Sequence, residues 1–186
     1  MAINGVEVVG ADGSLLGNLI DAYSNTLSGK VEQLIVDASV VGGKVRLIDV
    51  DKVREYDTTT RRLTVELTAS DPVELAPAGI PVMLLKAGDP AGAQLHVVSK
   101  VIGLMVEATD GLAGQAADIL VDSDGWAIRY LVVDTRDWLP GSDKLVPIEW
   151  VESVDWIRGR MFLKISQARA KTCQRASAGS HLLDRV

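Results

Sequence analysis

Apolar and polar residues alternate over short stretches of the chain, and turn-forming residues separate these stretches. Near the end of the chain, Met161, Leu163 and Ile165 would share one face of a strand, with the residues between them on the other face. A period of two is typical of half-buried β-strands, and no helical apolar period lies between the stretches. In the second half of the chain the pattern predicts strands near 102–108, 115–122, 127–134, 145–147, 151–156 and 160–165.

Asp-Gly pairs stand between several of the predicted strands. They lie at 12–13, 110–111 and 124–125. Such pairs readily adopt the positive φ angles of tight hairpins. Short strands separated by turns of this kind predict an all-β fold of two small antiparallel β-barrels, because closing a sheet into a barrel removes its exposed edges.

The chain matches itself when it is shifted by about 97 residues, which is the signature of an internal repeat. The matched positions are Gly17 with Gly114, Asp21 with Asp118, 34–37 with 131–134, 44–45 with 144–145 and 63–67 with 161–165. The repeat predicts two modules in tandem, of which the first is the more diverged. The predicted boundaries are 1–70 for the first module, 71–98 for a partly extended linker, 99–168 for the second module, and 169–186 for a short helix and tail.

The second module contains a specific string, Ile-Arg-Tyr-Leu-Val-Val-Asp-Thr at 128–135, which is followed by Trp-Leu-Pro-Gly at 138–141 and Lys-Leu-Val-Pro at 144–147. With these motifs, about 70 residues of the chain resemble a PRC-barrel domain. The first module resembles the same family weakly, because it keeps Gly17 and Asp21 but lacks the Trp, Arg and Tyr of the string.

Members of this family include the cytoplasmic domain of the photosynthetic reaction-centre H subunit and the C-terminal domain of a ribosome maturation factor. The resemblance implies a six-stranded barrel that serves binding and assembly without catalysis. A fold does not by itself transfer a partner. The first expectation is therefore a non-enzymatic protein-binding or scaffold module. The alternatives are an RNA-associated assembly or maturation factor, a component associated with photosynthetic electron-transfer complexes, and a hydrolase built on aspartates.

Composition limits the partners and the compartment. The 186 residues carry a net charge of −6, which disfavours a nucleic-acid binder because phosphate contacts need clustered Lys and Arg. The single Cys173 forms no internal disulfide, as in a reducing compartment. The start of the chain lacks a basic and apolar leader, and the longest apolar stretch, near 82–85, is too short to span a bilayer. We therefore expect a cytoplasmic protein with no integral membrane segment, and attachment to a membrane through a partner stays open.

Few residues of the chain are suited to catalysis or metal binding. The histidines are His96, expected as a structural or exposed residue at the edge of the second module, and His181, in the predicted tail. A dyad of Cys173 and His181 would require a geometry that a chain terminus does not hold. The sequence Asp-Ser-Asp-Gly at 122–125 begins like a calcium loop, but a strand replaces the later bidentate Glu, so a hairpin turn is expected. We predict no catalytic residues, no cofactor and no metal site.

The duplicated aspartates and the aromatic residues are expected to have structural roles. Asp21, Asp118, Asp37 and Asp134 should accept backbone N–H groups in turns at strand ends. Six of the eight aromatic residues fall in the second module and are expected to fill its core and rim, with a stacking platform for single-stranded RNA as the alternative. These six are Trp126, Tyr130, Trp138, Trp150, Trp156 and Phe162.

The loop that contains Trp138, Leu139 and Pro140 is the candidate partner-binding site. Large apolar side chains in a loop need a reason, and two are open. Trp138 could fold back and cap the barrel, or Trp138 and Leu139 could anchor a partner as aromatic hot spots do. The partner would be a protein, a second copy of the chain in a homo-oligomer, or the other module in an intramolecular pseudo-dimer. The first module offers a comparison at 39–43, where the tryptophan is missing.

Overall fold

The protein is all-β apart from one short helix. A computed structural model describes residues 6–25, 28–72, 74–75, 83–84, 95–122, 125–135 and 143–176. The first sheet comprises β1 (Val6–Gly10), β2 (Leu15–Asn25), β3 (Lys30–Asp37), β4 (Val45–Asp49), β5 (Val53–Asp57), β6 (Arg62–Val65), β7 (Glu74–Leu75), β8 (Met83–Leu84) and β9 (Leu95–Val97). The second sheet comprises β10 (Met105–Ala108), β11 (Gly111–Val121), β12 (Ile128–Asp134), β13 (Lys144–Pro147), β14 (Val151–Asp155) and β15 (Arg160–Leu163). Helix α1 (Gln167–Lys171) follows β15.

The two sheets have the same strand order. The first runs β5-β6-β1-β2-β3-β4, with β7 added beyond β4, and the second runs β14-β15-β10-β11-β12-β13. The ladders also break at equivalent places. Bulges lie between Leu19 and Asp21 in β2 and between Ala116 and Asp118 in β11. A bulge increases local twist and bends a strand, so the repeat includes the curvature of the sheet as well as its connectivity.

One strand pair in each sheet is parallel, which differs from the predicted antiparallel arrangement. Strand β6 pairs parallel with β1, and β15 pairs parallel with β10, while the other pairs are antiparallel. In each set of six strands, the parallel pair joins the strand that comes first in the sequence to the strand that comes last. Such strands are not joined by a hairpin, and side-chain alternation within a strand carries no information about the direction of a distant neighbour.

The chain divides into two compact units, which are described separately. One unit contains residues 2–99 and 123–127. The other contains Met1 together with residues 100–122 and 128–186. The described parts of 71–98 pair with the first sheet, because β7 pairs with β4 and β9 pairs with β2. Among the described residues, no helix is long and apolar enough to cross a membrane.

Aliphatic side chains form the buried interior of each sheet. In β3 the consecutive residues Leu34, Ile35 and Val36 are all buried, and in β12 so are Leu131, Val132 and Val133. Neighbouring residues of a strand point to opposite faces, so both faces of these strands are covered. In the first unit the buried side chains of one cluster are Tyr23, Ile35, Leu47, Leu95 and Val97. Burial of apolar side chains is the main contribution to the stability of the fold, at about 25 cal/mol per Å² of apolar surface buried.

Gly17 and Gly114 occupy positions where two backbones approach too closely for a side chain. A Cβ atom on Gly17 would lie 2.3 Å from the carbonyl oxygen of Asp37, and one on Gly114 would lie 2.1 Å from that of Asp134. Both glycines also have positive φ angles, 147° and 133°. Only glycine satisfies both conditions, which explains why the sequence repeats it in register with the two aspartates.

The repeat continues beyond the sixth strand of each set. Leu75 pairs with Arg46 at the edge of β4, and Arg175 forms an isolated bridge with Lys144 at the edge of β13. Arg46 and Lys144 are equivalent, because they pair with Val36 and Val133 respectively. Each copy therefore ends with a return segment that covers the same strand edge, which protects an exposed edge from pairing with other chains.

The pairing corrects two details of the sequence alignment. Arg46, not Lys44, corresponds to Lys144, so the loop before β13 is longer by one residue rather than three. Among the described residues of the hairpin between β11 and β12, Trp126 has a positive φ, of 55°, and Gly125 does not. The equivalent residue of the first copy is Gly29, with a φ of 64°. The positive φ predicted for Gly125 is therefore found one residue later.

Candidate interaction surfaces

The predicted binding loop lies outside the described residues. Trp138, Leu139 and Pro140 fall within 136–142, where the structure gives no description. The two alternatives for this loop, a cap and a hot spot, therefore stay predictions. The equivalent loop of the first copy is described and provides the available comparison.

The loop between β3 and β4 presents apolar side chains to solvent. Residues Ser39–Val41 form a 3-10 turn, and the Asp37 carboxylate accepts the Ser39 N–H at 2.8 Å. This backbone hydrogen bond, with one from the Ser39 side chain, lowers the pKa of Asp37. The exposed fractions of Val40 and Val41 are 57% and 45%. In the first copy, then, the apolar residues of this loop do not fold back as a cap.

Three of the four duplicated aspartates, Asp21, Asp37 and Asp118, accept backbone N–H groups as predicted, although Asp21 and Asp118 lie elsewhere than predicted. Asp21 and Asp118 stand at the bulges in the middle of β2 and β11, not at strand ends. Each accepts the N–H of its following residue at 2.8 Å, and Asp21 also accepts the N–H of Ser99 at 3.2 Å. Because a bulge leaves one N–H outside the ladder, a carboxylate at this position satisfies it.

The base of the hairpin at 122–125 is held by a salt bridge. Nη2 of Arg129 donates to Oδ2 of Asp122 at 2.6 Å. In the first copy the equivalent pair is Asn25 and Glu32, joined by a hydrogen bond of 2.8 Å. Within the part of the chain that the structure describes, no group of three or more His, Cys, Asp or Glu side chains is placed to hold a metal ion.

The histidine and the cysteine are both in structural surroundings. His96 lies in β9 of the first sheet, opposite Ser24, so its predicted place at the edge of the second module is wrong. It is buried, and burial lowers its pKa. Burial raises the pKa of Cys173, against smaller opposite effects of Lys144 and Arg169. Lys144 is itself buried and donates from Nζ to the carbonyl oxygen of Cys173 at 3.0 Å. His181 lies outside the described residues.

Most of the described aromatic residues predicted for the core and rim of the second module are only partly buried. Trp126 is buried, Tyr130, Trp150, Trp156 and Phe162 are half-buried, and Trp138 lies outside the described residues. The core of that copy is aliphatic instead, with Val106, Ile119, Leu131, Met161 and Leu163 buried. The guanidinium of Arg169 in α1 stacks over the ring of Trp150 at 5.3 Å, a cation–π contact that packs the helix against the sheet.

Two equivalent turns carry the same network of hydrogen bonds and different exposed side chains. The Asp57 carboxylate accepts the N–H groups of Thr59 and Thr60 at 2.8 and 3.3 Å. In the second copy the Asp155 carboxylate accepts those of Ile157 and Arg158 at 3.1 and 3.0 Å. The predicted strands 151–156 and 160–165 imply the turn of the second copy, but its exposed apolar tip was not predicted. The signal in the sequence is an Asp at the end of a strand, followed in the second copy by Ile157, which does not suit a turn.

Ile157 is the most exposed large apolar residue of the described chain. Its exposed fraction is 98%, while that of the neighbouring Arg158 side chain is 77%. The corresponding positions of the first copy are Thr59 and Thr60. Among the described turns, this one and the turn at Val40 and Val41 present large apolar side chains to solvent.

No protein-family model matches the chain, and no curated protein matches it either.

Proposed function

We propose that the chain is a non-enzymatic protein-binding or scaffold protein built from two modules of PRC-barrel type. The resemblance at 128–147 supports the family, and two sheets with the same order of six strands and with bulges at equivalent places support a module present in two copies. Bulges bend strands, as the curved sheet of a barrel requires.

The observation that carries the proposal is where the apolar side chains are exposed. Val40, Val41 and Ile157 lie at the ends of turns, and the exposed turns of a rigid scaffold are common binding sites. The carboxylates that might serve chemistry instead hold the backbone, as at Asp21, Asp118 and Asp37. An exposed apolar residue stabilises a complex in which it becomes buried, because its apolar surface is then removed from water.

The experiment is quantitative affinity capture from the native cell with wild type and with the double variant Val40→Ser/Val41→Ser. We expect the variant to capture on the order of tenfold less of a protein partner than wild type does, with an unchanged melting temperature. The control is Leu112→Ser, which removes an exposed apolar side chain from strand β11. Capture of RNA that persists after protease treatment, or a catalysed turnover of a captured metabolite, would overturn the proposal.

A further inference from the structure

The turn between β5 and β6 and the turn between β14 and β15 have the same hydrogen-bonded structure. Beyond the shared backbone hydrogen bonds, the side chain at the fourth position of each turn also binds the aspartate. Oγ1 of Thr60 donates to Oδ2 of Asp57 at 2.7 Å, and Nη1 of Arg158 donates to Oδ2 of Asp155 at 3.1 Å. The turn geometry is therefore satisfied by threonine and does not require a larger residue.

The second copy nevertheless carries large side chains at the tip. Residues 58–60 are Thr-Thr-Thr, whereas 156–158 are Trp-Ile-Arg. β-branched apolar residues do not favour turns, and Ile157 lies fully in solvent, so neither local structure nor packing explains it. The change from polar to apolar and basic residues points to a role outside the fold.

We propose that the tip formed by Trp156, Ile157 and Arg158 docks into a partner protein, with Ile157 entering an apolar pocket bordered by carboxylates. The inference rests on the proposed protein-binding function and names the surface and the chemistry of the partner. The backbone of the tip is already fixed by the Asp155 carboxylate, so docking orders little additional chain.

Charge at the tip selects an acidic partner. The side chain of Arg158 is 77% exposed and that of Asp155 only 26%, so the guanidinium reaches further into solvent than the carboxylate that it pairs with. Arg160 shows the same arrangement with Glu107, at 50% and 26%. In both pairs the guanidinium is more accessible than the carboxylate that it binds, and carboxylates on a partner would complement these two guanidinium groups.

A bilayer is a poorer occupant for this tip. One exposed isoleucine offers less apolar surface than a single acyl chain, which alone gives only marginal membrane binding. Nucleic acid is also a poorer occupant, because phosphate binding needs clustered Lys and Arg, and this region offers only Arg158 and Arg160, each already paired with a carboxylate.

The test is selection of a displayed library of random linear peptides on the full chain, with counter-selection on the variant Trp156→Thr/Ile157→Thr/Arg158→Thr. This variant should fold, because the first copy forms the same turn with threonine at all three positions. We expect enriched peptides that combine a large apolar residue with Asp or Glu. Ile157→Thr alone should lower the affinity for these peptides by on the order of tenfold, about 1.4 kcal/mol. Arg158→Thr should reduce the salt dependence of binding.

Three results would overturn the inference. Peptides that bind the triple variant equally well, peptides without acidic residues, and sedimentation of wild type with anionic vesicles in a manner that depends on Ile157 each contradict it. If the triple variant melts early, Ile157→Thr decides alone, because that side chain makes no packing contribution at 98% exposure. Peptides that are lost with Val40→Ser/Val41→Ser and not with the tip variants would overturn this inference and leave the proposed function standing.

Discussion

The first and second copies keep the same residues where the backbone demands them and differ where the chain meets solvent. Gly17 and Gly114, and likewise Asp57 and Asp155, occupy equivalent positions with equivalent contacts. The tips beside those aspartates share no side chain, since threonines in one copy stand where Trp156 and Ile157 stand in the other. The difference separates residues that hold the fold from residues that are available for binding.

At two turns, both copies have a residue with a left-handed backbone, which is glycine in one copy and a larger residue in the other. Gly29 and Gly159 have φ angles of 64° and 65°, and their counterparts Trp126 and Arg61 have φ angles of 55° and 53°. A residue with a Cβ atom in this region costs about 1 kcal/mol relative to glycine. Each copy therefore tolerates backbone strain at the turn where the other has none.

The largest effect is expected where both copies need glycine. Gly114→Ala should destabilise the second unit by at least about 3 kcal/mol, because the new Cβ would meet a carbonyl oxygen at 2.1 Å and the φ is positive. Gly17→Ala should act similarly on the first. Gly29→Ala is the control, since its Cβ would meet nothing within 4 Å, and it should cost only about 1 kcal/mol. Urea unfolding measures all three. Equal effects of Gly29→Ala and Gly114→Ala would contradict the close approach of the backbones, and unequal effects of Gly17→Ala and Gly114→Ala would contradict the equivalence of the copies.

A smaller effect is expected at the aspartates of the paired turns. Backbone hydrogen bonding from Arg158 lowers the pKa of Asp155, and the Thr60 side chain lowers that of Asp57, so both carboxylates stabilise the fold in their ionised form. This stabilisation is present above the unfolded pKa of about 3.9 and is lost as the pH falls through the lower folded pKa. Asp155→Asn should melt earlier than wild type at pH 7.

The melting difference between Asp155→Asn and wild type should disappear in strong acid. Asp57→Asn should show the same pH profile, because the two turns have the same hydrogen bonds. A difference that grows as the pH falls would contradict the assignment of these carboxylates.

Exchanging a left-handed residue should stabilise the chain. Arg61→Gly introduces the residue of the second copy and should raise the free energy of unfolding by about 0.5 to 1 kcal/mol, because glycine adopts a φ of 53° without strain. Gly159→Arg, the reverse exchange, should lower it by a similar amount. If both exchanges destabilise, the side chain of Arg61 contributes contacts that outweigh its backbone strain.

The smallest effect on stability is expected at the exposed turn of the first copy. Val40→Ser/Val41→Ser should change the free energy of unfolding by no more than about 0.5 kcal/mol, since both side chains face solvent. Differential scanning calorimetry checks this. A clear loss of stability would mean that these residues pack against the fold, and the contrast between framework and turn would fail at that position.

Local pattern predicted the strands because short stretches rich in apolar residues are separated by turn-forming residues. The observed β12 and β14, Ile128–Asp134 and Val151–Asp155, lie within one residue of the predicted ends. The repeat of Gly17 and Asp21 was visible because the backbone at a close approach and at a bulge accepts few alternatives.

Features that depend on distant parts of the chain could not be predicted in this way. The parallel pairing of β1 with β6 and the placement of His96 opposite Ser24 join residues far apart in sequence. The one-residue offset at Arg46 arose in a loop, where length changes carry little energetic cost. The exposed tip at Ile157 was missed because an isoleucine between two strands is normally assigned to the core.

The most direct measurement of the central claim is an exchange of the two tips within one chain. Thr59→Ile/Thr60→Arg is combined with Ile157→Thr/Arg158→Thr, and melting and affinity for the selected acidic peptides are recorded. Trp156 is left in place because it is half-buried. If the copies share one framework and differ in their tips, the chain melts as wild type does, and the peptides bind with wild-type affinity at the first copy. Unfolding of the exchanged chain, or binding that stays with the second copy after its tip has been replaced, would contradict the account.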